Sequence, residues 1–161
     1  MILDVACGTG ANSCELARQG HQVYGVDLDK EMLTWAMKKH QEKHNLTFLQ
    51  GDATQLEFGD GTFDAVTISF AMHDVPFDIG KRILSEAKRV LVRGGKVIII
   101  DYNEPGRNFA AKLLCWIALL YESPNFKEFI KIGVVKYLKD TGLKVVDRFT
   151  ILGVVQVVSS K

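Results

Sequence analysis

The chain has almost no excess of charge of either sign: 20 Lys and Arg stand against 19 Asp and Glu over 161 residues. The one-signed field of a duplex-binding surface is therefore missing, and no nucleic-acid partner is expected. Cysteine is scarce. Cys7, Cys14 and Cys115 are odd in number, share no C-x-x-C spacing and stand apart from the histidines. That sets aside a zinc knot or redox pair in favour of reduced thiols, and no metal site is expected. No hydrophobic run reaches bilayer length either, since the longest strongly apolar segment, residues 113–121, is about half of what a spanning helix needs. No basic stretch followed by an apolar run stands near Met1, so no secretory signal is expected and cytoplasmic residence is. Repeats, linkers and low-complexity tracts are also missing, which leaves one domain over residues 1–161.

What is present is apolar patterning. Nearly half the residues are hydrophobic, enough at this length to bury a full core without metals or disulfides. Short Val- and Ile-rich runs alternate with segments of helical period, the pattern of β-α-β units around a mainly parallel sheet. Strands are predicted at residues 2–6, 23–26, 46–49, 63–69 and 97–100, the last being the most buried. A helix over 11–19 stops at Gly20. Asp29 is expected to cap a helix turning Met32, Leu33, Ala36 and Met37 inward. Asp78 is expected to cap another, with Ile79, Ile83, Ala87, Val90 and Leu91 on its apolar face and Gly94-Gly95 ending it. Two helices in succession, 109–121 and 124–140, break the rhythm as a helical insertion over about 109–140. The second carries Phe126, Phe129, Ile130, Gly133, Val134, Tyr137 and Leu138 on one stripe. Residues 144–150 and 153–158 read as an antiparallel pair.

In an open α/β sheet, ligands sit beyond the carboxyl ends of the strands, so the turn after the first strand is the place to look. There Gly8 and Gly10 let the backbone approach a ligand. A dinucleotide fingerprint would need a third glycine, but Ser13 occupies that position, which weakens the case for a nicotinamide cofactor. Asp4 would repel a pyrophosphate and attract an ammonium group. Asp27 ends the second strand, where a carboxylate can accept both hydroxyls of a ribose. Asp52 follows the third strand, where it or the backbone of Ala53 can meet the amino edge of a purine. Ammonium, ribose and adenine contacts in that order match a sulfonium nucleoside amino acid.

With "ILDVACGTG", "VYGVDLDKEML", "FLQGDATQLEFGDGTFDAVTISFAMHDV" and "EAKRVLVRGGKVIIIDY", residues 2–102 resemble the class I S-adenosylmethionine-dependent methyltransferases, in the small-molecule branch that includes quinone-biosynthesis enzymes. The resemblance implies a Rossmann-like, doubly wound, mainly parallel α/β sheet of about seven strands with the last antiparallel. It implies cofactor contacts at Asp4, Gly8, Gly10, Asp27, Leu28, Met32, Asp52 and Ala53, with Ser69 and Phe70 lining the site. The family's usual first glycine is Ala6 here, a change the turn is expected to survive. Members of the family carry helices before the first strand that cover the cofactor. This sequence shows none, so the expectation is a core with the N-terminal helices missing, either a fragment or a minimal version.

Other readings stand beside these. Asp4 could cap its own turn, Met32 and Trp35 could be core residues, and Gly94-Gly95 is read as a helix stop rather than a phosphate loop. His73 is a candidate general base for a phenol, hydroxyl or acidic carbon, with a solvated loop histidine as the plainer reading. The amino-group signatures N-P-P-Y and D-P-P-Y are missing from that loop, which by resemblance disfavours nitrogen acceptors. The expected activity is therefore methyl transfer from S-adenosylmethionine to an oxygen or carbon of a small hydrophobic acceptor. Trp116, Leu120 and Tyr121 are expected to meet that acceptor, to pack on the sheet, or to cover a second subunit in a homodimer. A nicotinamide-dependent oxidoreductase and a truncated non-catalytic binding subunit are the rival readings.

Overall fold

The computed structural model describes residues 1–40, 44–104 and 122–161. In chain order the elements are β1 (Ile2–Val5), α1 (Ala11–Arg18), β2 (Val23–Asp27), α2 (Lys30–Lys39), β3 (Leu46–Gln50), β4 (Phe63–Ser69), α3 (Phe77–Val90), β5 (Leu91–Tyr102), α4 (Phe126–Ile132), α5 (Val134–Asp140), β6 (Val145–Ile151) and β7 (Val155–Ser160). The strands form one seven-stranded sheet in the order β3-β2-β1-β4-β5-β7-β6. Strands β1 to β5 are parallel to one another, and β7 runs antiparallel to both β5 and β6. The doubly wound architecture expected from the sequence is thus present, with its last strand reversed. The chain winds outward from β1 in one direction and from β4 in the other, so the switch point lies between the carboxyl ends of these two strands.

Strands buried on both faces build the centre: Leu3, Phe63, Val66, Val97 and Ile99 are fully buried. Against one face α3 lays Ile83, Leu84, Ala87 and Val90. Helix α5 reaches this layer because Gly80 leaves room for it, as a methyl there would lie 2.6 Å from Tyr137 Cε1. Glycine inside a helix costs about 0.5–1 kcal/mol relative to alanine, which close packing of two elements can offset. The β6–β7 hairpin turns at Leu152 and Gly153, both with positive φ, as the right-handed twist of paired strands favours. Among the described residues no helix is long and apolar enough to cross a membrane.

Several elements depart from expectation. Helix α2 buries only Leu33 and Ala36, while Met32 and Met37 are 43% and 48% exposed. Lying over the sheet's β3 edge, α2 offers it a narrow stripe rather than a broad face. Asp78 does not cap α3: Pro76 occupies that position without a side-chain bond, and Asp78 pairs with Lys81 in the first turn. Proline's fixed φ is already suited to a helix start, so the helix begins ahead of the acid. Nor does α3 run to Gly94-Gly95. It ends at Val90 because Leu91 pairs with Phe63 and the next residues join β5. Gly94, at φ 84°, then belongs to the irregularity in that ladder. The helix expected over 124–140 is two, broken at Gly133 with φ 74° and ψ 146°, although Phe126, Phe129, Val134, Tyr137 and Leu138 are buried as their spacing predicts. The helix expected over 109–121, with Trp116, Leu120 and Tyr121, lies outside the described residues.

Candidate functional site

The turn leaving β1 is built from left-handed residues: Ala6, Gly8 and Gly10 have φ of 54°, 52° and 74°. Cys7 N donates to Val26 O and Gly10 N to Cys7 O, closing the turn before α1 begins. Alanine survives at the first of these positions, as expected, at a cost of about 1 kcal/mol for a non-glycine residue there. The two glycines do different work. Around Gly8 nothing would meet an added methyl, so the space beside it is open to a ligand, whereas a methyl on Gly10 would run into the Phe48 ring and lie 3.2 Å from Ala36 Cβ. Gly10 therefore seats the turn on α2 and β3.

Each acid is engaged by the chain itself. Asp4 is buried, and its carboxylate accepts from Asn12 Nδ2 at 2.8 Å, Thr67 Oγ1 at 2.7 Å and Ser13 Oγ at 2.5 Å. Burial pushes its acid above the usual carboxylate range, and these donors pull it part of the way back. Asp27 Oδ2 accepts from Gly8 N at 2.7 Å and Oδ1 from Asp29 N at 2.9 Å, tying β2 to the glycine turn. Asp29 caps α2 as predicted, accepting from the amides of Glu31 and Met32. Asp52 Oδ1 accepts from Thr54 N at 2.7 Å, and that amide holds its acid below the usual range. The loop carrying Asp52 is clamped by Arg89, which donates to Leu56 O, Phe58 O, Asp60 and, through a two-point fork, Glu86.

Two clefts open at the switch point, and both are lined by Ala6. The larger, about 460 Å³, has Asp4, Gly8, Asn12, Ser69 and Phe70 around it. The smaller, about 170 Å³, brings together Asp27, Leu28, Asp52 and Ala53 against the apolar side chains of Val75, Ile79 and Ile83. Eight of the ten predicted cofactor contacts thus fall into two groups of four. Gly10 and Met32 line neither cleft: Gly10 is a packing position, and Met32 is part of the α2 start. Phe70, 45% exposed, leaves β4 with φ 50°, a left-handed conformation that non-glycine residues adopt mostly where surrounding structure imposes it. Ser69 Oγ is buried without a hydrogen-bond partner. A buried hydroxyl left unmatched at a cleft wall is the atom a polar ligand would satisfy.

His73 is not the solvated loop residue of the plainer reading. Its side chain is 4% exposed, edge-on to Tyr102, Phe126 and Phe129. Nδ1 lies 2.7 Å from Asp101 Oδ1, while Nε2 lies 3.3 Å from Glu122 Oε2 and 3.5 Å from Asp74 Oδ1. Burial works against a charged ring, but the Asp101 hydrogen bond and the three carboxylates outweigh it and move the pKa above the ordinary value. His73 lines neither of the two clefts.

Sequence reasoning missed Asn12, Thr67 and the role of Ser13 as holders of Asp4, although a polar Asn-Ser pair opening α1 was the available signal. It also missed the apolar wall formed by Val75, Ile79 and Ile83.

A doubly wound sheet with a glycine turn at its switch point and carboxylates at the carboxyl ends of three adjacent strands is a Rossmann-like α/β domain with clefts at that rim. Residues 3–99 match the family described as "Methyltransferase domain", and the chain belongs to that family. It is 38% identical over 104 residues to a demethylmenaquinone methyltransferase of Beutenbergia cavernae, covering 65% of this chain and 41% of that one. It is 34% identical over 160 residues to a 2-phytyl-1,4-naphtoquinone methyltransferase of Synechocystis, covering 92% of this chain and 62% of the relative. The matched part thus spans between two fifths and two thirds of those relatives. Among solved structures, a SAM-dependent methyltransferase from Methanosarcina mazei superposes with a TM-score of 0.79 at 23% identity, over 99% of this chain and 90% of that one; this likeness is one of fold.

Proposed function

We propose that this domain binds S-adenosylmethionine across the two clefts and directs its methyl group to a carbon or oxygen of a small hydrophobic acceptor, in the cytoplasm. The observation that carries the reading is the division of the clefts: polar groups suited to an amino-acid end line the larger, while a carboxylate pair and an apolar wall suited to a nucleoside line the smaller. In the smaller, Asp27 keeps lone pairs beyond those given to its two amides and accepts from the ribose hydroxyls. Val75, Ile79 and Ile83 flank the adenine, with Asp52 and the Ala53 backbone at its edge. In the larger, the Asp4 carboxylate supplies negative charge beneath the ammonium, with Asn12 beside it on the cleft wall. Ser69 Oγ gains the partner it lacks, and Phe70 shields the reacting end from water. When bound, the cofactor supplies an electrophilic methyl on a sulfonium centre. What the protein adds is alignment and exclusion of water, which can lower the barrier by about 7–11 kcal/mol when reacting atoms are held in line. His73, whose Nε2 is aimed at two carboxylates rather than at either cleft, is left out of the transfer.

The relatives named for demethylmenaquinone and 2-phytyl-1,4-naphtoquinone support an acceptor of naphthoquinone type. Two measurements test the reading. Calorimetry with S-adenosylmethionine should give one site per chain, and NADH should give none. Incubation with labelled methyl donor and reduced naphthoquinones should transfer label to the quinone. Binding of NADH in place of the sulfonium cofactor would overturn the assignment, while cofactor binding without transfer to any quinol would overturn the acceptor class.

A further inference from the structure

The His73 corner contains more negative charge than any described cation answers. Asp74, Asp101 and Glu122 all approach one imidazole, and among the described residues no Lys or Arg comes within ion-pair distance of them. The ring is locked. Asp101, fully buried, accepts from His73 Nδ1, from Met72 N at 3.0 Å and from Tyr102 N at 2.7 Å, which fixes which ring nitrogen faces outward. Glu122 is steadied in the same way, its Oε1 accepting from Tyr102 O–H at 2.6 Å while Oε2 is turned to the ring. That leaves His73 Nε2, on a side chain 4% exposed, facing carboxylate oxygens of the described residues at 3.3 and 3.5 Å.

We propose that His73 Nε2, Glu122 Oε2 and Asp74 Oδ1 are a binding site for a divalent transition-metal ion, with Zn²⁺ as its test ion. This is a site the cysteine-poor sequence does not suggest. A zinc ion with nitrogen and oxygen ligands at about 2.0–2.2 Å in tetrahedral geometry places neighbouring ligand atoms roughly 3.3–3.5 Å apart, and the two separations from Nε2 fall on that value. All three ligand atoms lie within 4.8 Å of one another, and Asp74, half-exposed, is free to turn inward by the remaining distance. An imidazole whose far nitrogen donates to a buried carboxylate is the usual outer arrangement of a zinc-bound histidine. Three protein ligands leave a fourth position for water. The ion would staple the loop after β4 to the segment leading into α4, joining residues 48 apart in sequence.

The test uses the full chain, free of any affinity tag and stripped with chelator. Zn²⁺ titrated calorimetrically should bind at one site per chain with micromolar affinity or better, and the melting temperature should rise with free Zn²⁺. Glu122→Gln, which retains an acceptor for Tyr102, and Asp74→Asn should each weaken binding by about tenfold or more. X-ray absorption of the wild-type zinc complex should show one imidazole and otherwise oxygen scatterers. Failure to bind Zn²⁺, undiminished affinity in both variants, or sulfur scatterers from Cys7, Cys14 or Cys115 would each overturn the proposal. So would binding that moves to His21, His40 or His44, read as loss of affinity on their replacement.

Discussion

Removing the Asp27 side chain is the sharpest test of the role proposed for the smaller cleft, because different measurements separate this carboxylate's place in the fold from the ligand contact proposed for it. Within the chain it accepts from Gly8 N at 2.7 Å and Asp29 N at 2.9 Å; toward the ligand it is assigned the ribose hydroxyls. Hydrogen bonds to a charged group contribute about 1.5–3 kcal/mol, which as an affinity change is roughly tenfold to just over a hundredfold. Asp27→Ala should therefore weaken S-adenosylmethionine binding by at least about tenfold in calorimetry. The same change leaves the Gly8 and Asp29 amides without their partner, so the free protein should lose about 1–3 kcal/mol of unfolding free energy unless water replaces the carboxylate. Asp27→Asn separates the roles. It keeps an acceptor for one amide but turns an N–H₂ toward the other, so part of the stability returns while the charge stays absent. An affinity within twofold of wild type in Asp27→Ala, in a protein that melts lower, would refute the ribose assignment and leave Asp27 as a fastener of the turn.

Three other outcomes follow from the same geometry. Ser69→Ala removes a buried hydroxyl that has no partner in the chain, so the free protein should melt no lower than wild type while cofactor affinity falls by about two- to tenfold, the value of a neutral hydrogen bond; equal affinities would take Ser69 out of the site. Gly10→Ala should destabilise the fold by about 2–4 kcal/mol, from a left-handed alanine together with the collision against Phe48, whereas a change below about 0.5 kcal/mol by urea denaturation would show that the ring gives way. Glu86 is held below its ordinary carboxylate pKa by its hydrogen bonds to Arg89. The stability it contributes is thus present above its unfolded value of 4.5 and lost as pH falls through the lower folded value; Glu86→Gln should flatten that part of the acid unfolding curve, and an unchanged curve would refute the linkage.

The alternation of strands and helices was legible because each element's periodicity agreed with its tertiary environment. Where the two disagreed, the environment won. Leu91 continues the helical stripe of α3 on paper, yet pairing with Phe63 draws it into β5. Met37 has the right spacing to face inward, but α2 has too little sheet beneath it. The acids at the strand ends were legible as a set, since strands of a parallel sheet deliver their last residues to one rim. Their partners were not. Ser13 looks like a failed glycine in one dimension and is a buried hydroxyl on Asp4 in three. His73 looks like a loop residue because what encloses it comes from far along the chain: Asp101 is 28 positions away and arrives only through the β4–β5 pairing. Long-range hydrogen bonding of this kind leaves no periodic trace.

Capping and binding are opposed readings of an acid when the sequence alone is considered, but bonds within the chain do not by themselves exclude the proposed ligand contacts. A carboxylate has about four lone-pair sites. Asp27 uses one oxygen for each of two amides, Asp52 gives one oxygen to Thr54 N, and Asp4 holds Asn12, Ser13 and Thr67. The bonds that shape the turn are also what fixes the remaining lone pairs in direction before any ligand arrives, so less ordering is left to be done on binding. The burial that raises the acid of Asp4 gives that preorganisation an electrostatic cost, because the charged form sits in the folded protein less comfortably than in water. A cation placed at the floor of the larger cleft relieves that cost, and an anion there increases it. On the proposed binding mode, discrimination between a sulfonium amino acid and a pyrophosphate would then depend on how deeply Asp4 is buried beneath the glycine turn.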